Sequence, residues 1–221
     1  MRKIVAGAFV SLDGIMQAPG GPEEDPTGGF RHGGWTVPYW DEPMGHFMDE
    51  CFSRPFDLLL GRKTYDIFAA HWPFVGEEDP IGKVFNEVTK YVATSSTSPL
   101  TWNNSVALSG DVPAEIGRLK QGDGPDLLTQ GSSVLLQTLL AHDLIDEFRL
   151  LTFPVLLGRG KRLFGQGTAD GALKLTENRV STTGVTMSVY MRSGSVTTGT
   201  FALPQASDAE LARREHMERE S

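Results

Sequence analysis

Phe56-Asp57-Leu58-Leu59-Leu60-Gly61-Arg62-Lys63-Thr64-Tyr65 sets the fold class of this chain. The run 56–60 is apolar apart from Asp57 and reads as a strand. Gly61 then permits a tight turn, and the helix that follows opens on two bases and a hydroxyl. Working outward, the same alternation recurs. Residues 2–10 are a nearly continuous apolar run, read as a buried strand and not as a signal peptide. Asp41 to Ser53 reads as a helix with Asp41 at its N-cap, Pro43 in its first turn, and Met44, Phe47, Met48 and Cys51 on one face. Short strands follow at 91–94 and 106–108, a helix over 112–121 after Asp111, a strand at 126–129, and an apolar helix opened by Gly131-Ser132-Ser133. Pro80 to Thr89 fits neither period cleanly. Residues 145–153 alternate, with Ile145, Glu147 and Arg149 set against Phe148 and Leu150. Pro154 to Gly167 reads as a Gly-rich loop, and residues 172–201 as two or three antiparallel strands. Strands that alternate with helices imply an α/β fold with a mainly parallel sheet and helices on both faces. The last strands lack an intervening helix and add antiparallel pairing at one edge.

The chain has 221 residues, 39% of them apolar and 22% charged, and a formal net charge of −8. That composition suits a soluble globular chain with a sizeable core. The charge excludes an ordinary nucleic-acid binder, and no apolar run approaches the ~18 residues that span a bilayer. A single cysteine, Cys51, excludes an internal disulfide and a multi-cysteine zinc site, and fits the cytoplasm. One domain over 1–203 and a charged tail over 204–221 are expected. The tail reads as a frayed surface helix or a disordered end, with eight charges in its last 16 residues.

Three strand-to-helix junctions suit an anion. Gly61-Arg62-Lys63-Thr64 offers free N–H groups, positive dipole, two charges and a hydroxyl; a plain turn with two solvated bases explains it equally well. Ser95-Ser96-Thr97 follows the strand at 91–94 and offers hydroxyls, or is only a polar turn. Gly131-Ser132-Ser133 opens a helix, with Ser132 or Ser133 equally suited to a simple N-cap. Three such junctions together suit an extended ligand with several phosphates, such as a dinucleotide. Gly158-Arg159-Gly160-Lys161-Arg162 lacks the third glycine of a dinucleotide-binding fingerprint.

Other constellations are sparse. The histidines at 32, 46, 71, 142 and 216 have no metal-ligand spacing. Cys51 reads as a small core residue. Asp13 follows the first buried strand, where a side chain points into a cleft; it reads as a proton source or as a turn residue of Leu12-Asp13-Gly14. Ten of the 21 residues in 18–38 are Gly or Pro. This segment reads as a mobile lid or a disordered insertion, with Trp35 and Trp40 close behind it.

Val10-Ser11-Leu12-Asp13-Gly14, Leu60-Gly61-Arg62-Lys63-Thr64-Tyr65, Gln130-Gly131-Ser132-Ser133, Leu144-Ile145-Asp146-Glu147 and Phe153-Pro154-Val155-Leu156-Leu157-Gly158 with Leu163-Phe164 occur in this order. The series resembles the dihydrofolate-reductase-like family, and within it the reductase domain of the bifunctional riboflavin-biosynthesis deaminase-reductase. The resemblance covers about residues 2–192. It implies a three-layer α/β/α fold and NADPH as hydride donor. It also implies a small flat substrate with a C=N or C=O bond, as in 5-amino-6-(5-phosphoribosylamino)uracil reduction. Gly61, Arg62, Lys63 and Thr64 would grip the cofactor's phosphates, Ser95 and Ser96 its 2′-phosphate, and Gly131, Ser132 and Ser133 its pyrophosphate. Asp13 or an ordered water would supply the proton, and Trp40, Phe47, Phe153 and Pro154 would wall the substrate. The helix at 41–53 carries no clear match to the buried carboxylate of folate reductases, and no deaminase motif is present. A catalytically weak nucleotide-binding module is the rival reading. The family also implies a homodimer through the C-terminal sheet edge.

Overall fold

The computed structural model describes residues 1–76, 78–166 and 168–220. Gly167 and Ser221, which close the predicted loop 154–167 and the charged tail, lie outside them, as does Glu77. Eight strands form one sheet: β1 Ile4–Ser11, β2 Phe56–Gly61, β3 Lys90–Ala93, β4 Ser105–Leu108, β5 Asp126–Gln130, β6 Glu147–Phe153, β7 Leu173–Val180 and β8 Thr186–Arg192. Their spatial order is β4-β3-β2-β5-β1-β6-β8-β7. The first six are parallel; β6–β8 and β8–β7 are antiparallel. The three-layer α/β fold with a mixed, mostly parallel sheet is thus the observed one.

Side-chain alternation divides the core. On β1, Ile4, Ala6, Ala8 and Val10 face one layer with Leu59, Leu127 and Phe148, under helices α4 Val112–Gln121 and α5 Ser133–Ala141. Val5 and Phe9 face the other layer, under α1 Glu42–Phe52, α2 Arg62–Ala69 and α3 Pro80–Glu87. Most of the ambiguous stretch at 80–89 is therefore a helix, Pro80–Glu87, started by Pro80 and by Asp79, whose carboxylate accepts from Ile81 N at 3.0 Å and Gly82 N at 2.8 Å. The tail forms α6 Asp208–Glu220, which buries no residue.

Lys90 on β3 is fully buried. Its ammonium donates to Asn86 O at 2.9 Å and lies 4.4 Å from the centroid of the Trp102 ring. Burial lowers its pKa from 10.5 to about 8. The unfolded chain then binds more protons between pH 8 and 10.5, so this residue's cost is full at neutral pH and fades as pH rises. Lys90→Met is expected to stabilise the chain at pH 7, with the wild type gaining about 1–3 kcal/mol on the variant between pH 7 and 11. Urea unfolding at both pH values checks it; parallel pH profiles for the two proteins would refute it.

Candidate functional site

Strands β1, β2, β3, β5 and β6 all end on one edge of the sheet, and every predicted junction lies there. Two of them touch. A Cβ on Gly61 would overlap Ser132 Oγ, so glycine is what lets the starts of α2 and α5 meet. Neither start is capped by a side chain. Gly61 has no side chain to offer. Ser132 stands at φ 74°, a left-handed conformation costly for a residue with a Cβ, and makes no cap bond. The plain N-cap reading of Ser132 is corrected on this geometry. Three other helices are capped by aspartates: Asp41 accepts from Met44 N, Asp79 from Ile81 N and Gly82 N, and Asp111 from Ala114 N. Two helix starts without side-chain caps thus meet at the sheet edge, which is a setting for an anion.

Arg62 donates to Asp66 Oδ1 at 2.8 Å and to Ser98 O at 2.9 Å. The second bond draws α2 to the loop after β3, which carries the exposed Ser95 and Ser96. Within that loop Thr94 Oγ1 accepts from Ser96 N at 3.0 Å, and Ser96 Oγ accepts from Ser98 N at 3.2 Å. Lys63 is diverted. Its ammonium lies 3.0 Å from Asp25 Oδ1 and donates to Thr27 Oγ1 at 2.9 Å.

Asp13 has a different job from the one expected. Its carboxylate accepts from Ser11 Oγ at 2.6 Å, Leu157 N at 3.1 Å and Gly158 N at 2.7 Å. Its pKa is held at about 2, mainly by the Ser11 hydroxyl; desolvation opposes this, and the Leu157 and Gly158 N–H groups add to it. A carboxyl ionised that far below neutrality is a poor proton donor. Asp13 latches the end of β1 to the loop after β6.

The four expected walls separate. Trp40 is 47% exposed and meets Phe9 edge-on, and Pro154 is exposed. Phe47 and Phe153 are core. Phe153 is fully buried, with Phe9, Trp35 and Tyr39 packed edge-on around it at centroid distances of 5.9, 5.2 and 5.8 Å. The Gly/Pro segment that the sequence reads as low in contacts is tightly held. Trp35 is buried and donates to Gln17 O at 2.8 Å; Gln17 Nε2 donates to Asp25 O and Thr27 O, each at 2.9 Å. Asp25 pairs with both Lys63 and Lys161. Burial pushes its carboxyl up, but the bonds from Lys161, Thr27 and Lys63 prevail and hold it at about 2.

Between α1 and the sheet lies a narrow cleft lined by Gly7, Phe9, Gln130 and Arg149 on one side and Met48 and Cys51 on the other. Its polar groups were not among the expected site residues. Arg149 donates to Glu147 Oε1 at 2.6 Å and to Cys51 O at 3.2 Å, bracing α1 against β6. The alternation of 145–153 already set Glu147 and Arg149 on one face. Burial pushes the Cys51 thiol up, in keeping with a core role. Nothing in the sequence marked Asp25, Gln17 or Lys161, whose partners are remote.

A family model described as the RibD C-terminal domain matches residues 2–189. The uncharacterized protein YyaP of Bacillus subtilis (strain 168) is 30% identical over 199 residues, covering 87% of this chain and 96% of its own. Among solved structures, a putative riboflavin biosynthesis protein from Shewanella sp. PV-4 aligns with a TM-score of 0.60 at 21% identity, over 86% of this chain and 99% of that one. Dihydrofolate reductase from Enterococcus faecalis, complexed with NADP(H), aligns at 0.54 and 13% identity, over 86% and 96%. The two structural likenesses are likenesses of fold.

Proposed function

Since the chain belongs to the RibD C-terminal domain family, we propose that it is an NADPH-dependent reductase of a small, flat heterocyclic or carbonyl substrate. The observation that carries this reading is the meeting of two uncapped helix starts at Gly61 and Ser132, beside Arg62 and the serines after β3. Gly61–Thr64 and Gly131–Ser133 hold the pyrophosphate through backbone N–H groups and hydroxyls. Arg62, Ser95 and Ser96 hold the 2′-phosphate. Bound NADPH supplies a hydride. The chain orients the acceptor and keeps water away from it, with Trp40 and Pro154 flanking the substrate. An ordered water delivers the proton, since Asp13 is committed to its latch. Residues 1–203 constitute the reductase domain, working in the cytoplasm, and 204–221 a charged appendage.

NADPH is expected to bind at least about tenfold more tightly than NADH, because a charge-assisted bond to phosphate exceeds one to a ribose hydroxyl. Fluorescence titration of both decides it, and equal affinities would sink the assignment. A second reading, a nucleotide-binding module with weak or no turnover, draws on the tied carboxylate of Asp13. Tight NADPH binding with no oxidation by any candidate heterocycle or carbonyl would favour the module.

The working form is a homodimer. Strand β7 ends the sheet with Leu173, Leu175 and Val180 exposed, and folded chains cover such edges. Light scattering at micromolar concentration is expected to give twice the chain mass; a monomer would refute it.

A further inference from the structure

Besides the packing of Trp35 on Phe153, the Gly/Pro segment is fastened to the body of the chain by a buried carboxylate set between two ammonium groups. Asp25 is 8% exposed at its side chain, against 50% for Lys63 and 35% for Lys161. Oδ1 lies 3.0 Å from Lys63 Nζ, and Oδ2 pairs with Lys161 Nζ. Thr27 completes the contact, donating to Asp25 Oδ1 at 2.5 Å while accepting from Lys63 Nζ at 2.9 Å. Gln17 holds the backbone of the same turn, and its Oε1 accepts from Lys161 N at 3.0 Å. Lys63 belongs to the first turn of α2, whose N–H groups have no side-chain cap. The charge that an incoming anion would use is therefore already matched by a carboxylate from a distant loop.

We propose that Asp25 is a built-in stand-in for a nucleotide phosphate. It occupies Lys63 until an anion arrives at the start of α2, and the exchange loosens the hold on residues 17–36. This inference rests on reading that helix start as a cofactor phosphate site. An ammonium can donate to two anions at once, but Asp25 and a phosphate would then repel each other across it. Lys161 keeps Asp25 when Lys63 turns away, so the segment moves about its second hold and is not released. Linkage is reciprocal: whatever weakens Asp25's grip on Lys63 strengthens anion binding, and anion binding weakens docking.

Two variants separate this from a merely structural Asp25. Asp25→Asn frees Lys63 and is expected to bind inorganic pyrophosphate and NADPH about five- to tenfold more tightly than the wild type. Lys161→Met leaves Asp25 to Lys63 alone and is expected to bind both more weakly. Calorimetric titration gives the affinities. Hydrogen exchange over residues 17–36 reports docking, and saturating pyrophosphate is expected to raise exchange there in the wild type. Both variants shifting affinity in the same direction would overturn the proposal, as would unchanged exchange on saturation. Wild-type binding of NADPH with no gain in Asp25→Asn refutes the coupling and leaves the cofactor reading standing. Failure of the wild type and both variants to bind either ligand refutes the cofactor reading and the coupling with it.

Discussion

Phe153→Ala is expected to lower the stability of the folded chain by about 3–5 kcal/mol, the range for truncating a large aromatic in a packed core. Phe153 closes the carboxyl end of β6 and is fully enclosed, with Phe9, Trp35 and Tyr39 meeting it edge-on. Trp35 and Tyr39 come from the Gly/Pro segment and the turn after it, so the cavity would also undercut the docking of that segment. Trp40→Ala is the companion measurement. Trp40 is half exposed and is expected to cost under about 1 kcal/mol in stability, while raising KM if it flanks the substrate. Urea unfolding of the two variants checks the contrast. Equal stability losses would mean that Phe153 is not the hub its surroundings indicate.

Gly61→Val is expected to weaken NADPH binding by at least about tenfold, on the order of 1.4 kcal/mol or more, with the fold retained. The branched side chain has no room: Ser132 Cβ would lie 3.1 Å from even the first added carbon, and Leu135 Cβ 3.6 Å. The start of α2 must then move away from the start of α5, and the two sets of N–H groups cease to face one ligand. Circular dichroism verifies the fold, and titration gives the affinity. A Gly61→Val protein that binds NADPH like the wild type would refute the shared phosphate site.

What the sequence disclosed follows from the range of the forces involved. The parallel strands were legible because burial on both faces writes a nearly continuous apolar run, as at 4–10 and, apart from Asp57, at 56–60. The edge junctions were legible because each glycine ends a strand pattern just before a helix starts, although Gly61 is extended and is required by its distant contact with Ser132. The Gly/Pro segment was not. Its order comes from Asp25 meeting Lys63 and Lys161, 136 residues away, and from Trp35 meeting Phe153. Local composition carries no trace of such pairs. Phe47 and Phe153 were misread as walls because an apolar side chain serves a cleft or a core equally well until its surroundings are known. For Asp13 the sequence leaves a proton source and a turn residue both open, because a carboxylate after a strand looks the same whether it faces a substrate or the N–H groups of residues 157 and 158.

The contrast between aspartate-capped and bare helix starts bears on how this chain tolerates change. A side-chain cap contributes about 0.5–2 kcal/mol to a helix. The chain has such caps at Asp41, Asp79 and Asp111 and forgoes them at Gly61 and Ser132. It also holds Ser132 in a conformation that a glycine would adopt at lower cost. A glycine at 132 would relieve that strain, whereas no capping side chain fits at 61, where a Cβ would meet Ser132. Given the proposed phosphate site, the bare starts are kept for a ligand at some cost in stability, which makes these two residues poor sites for consensus-style stabilisation.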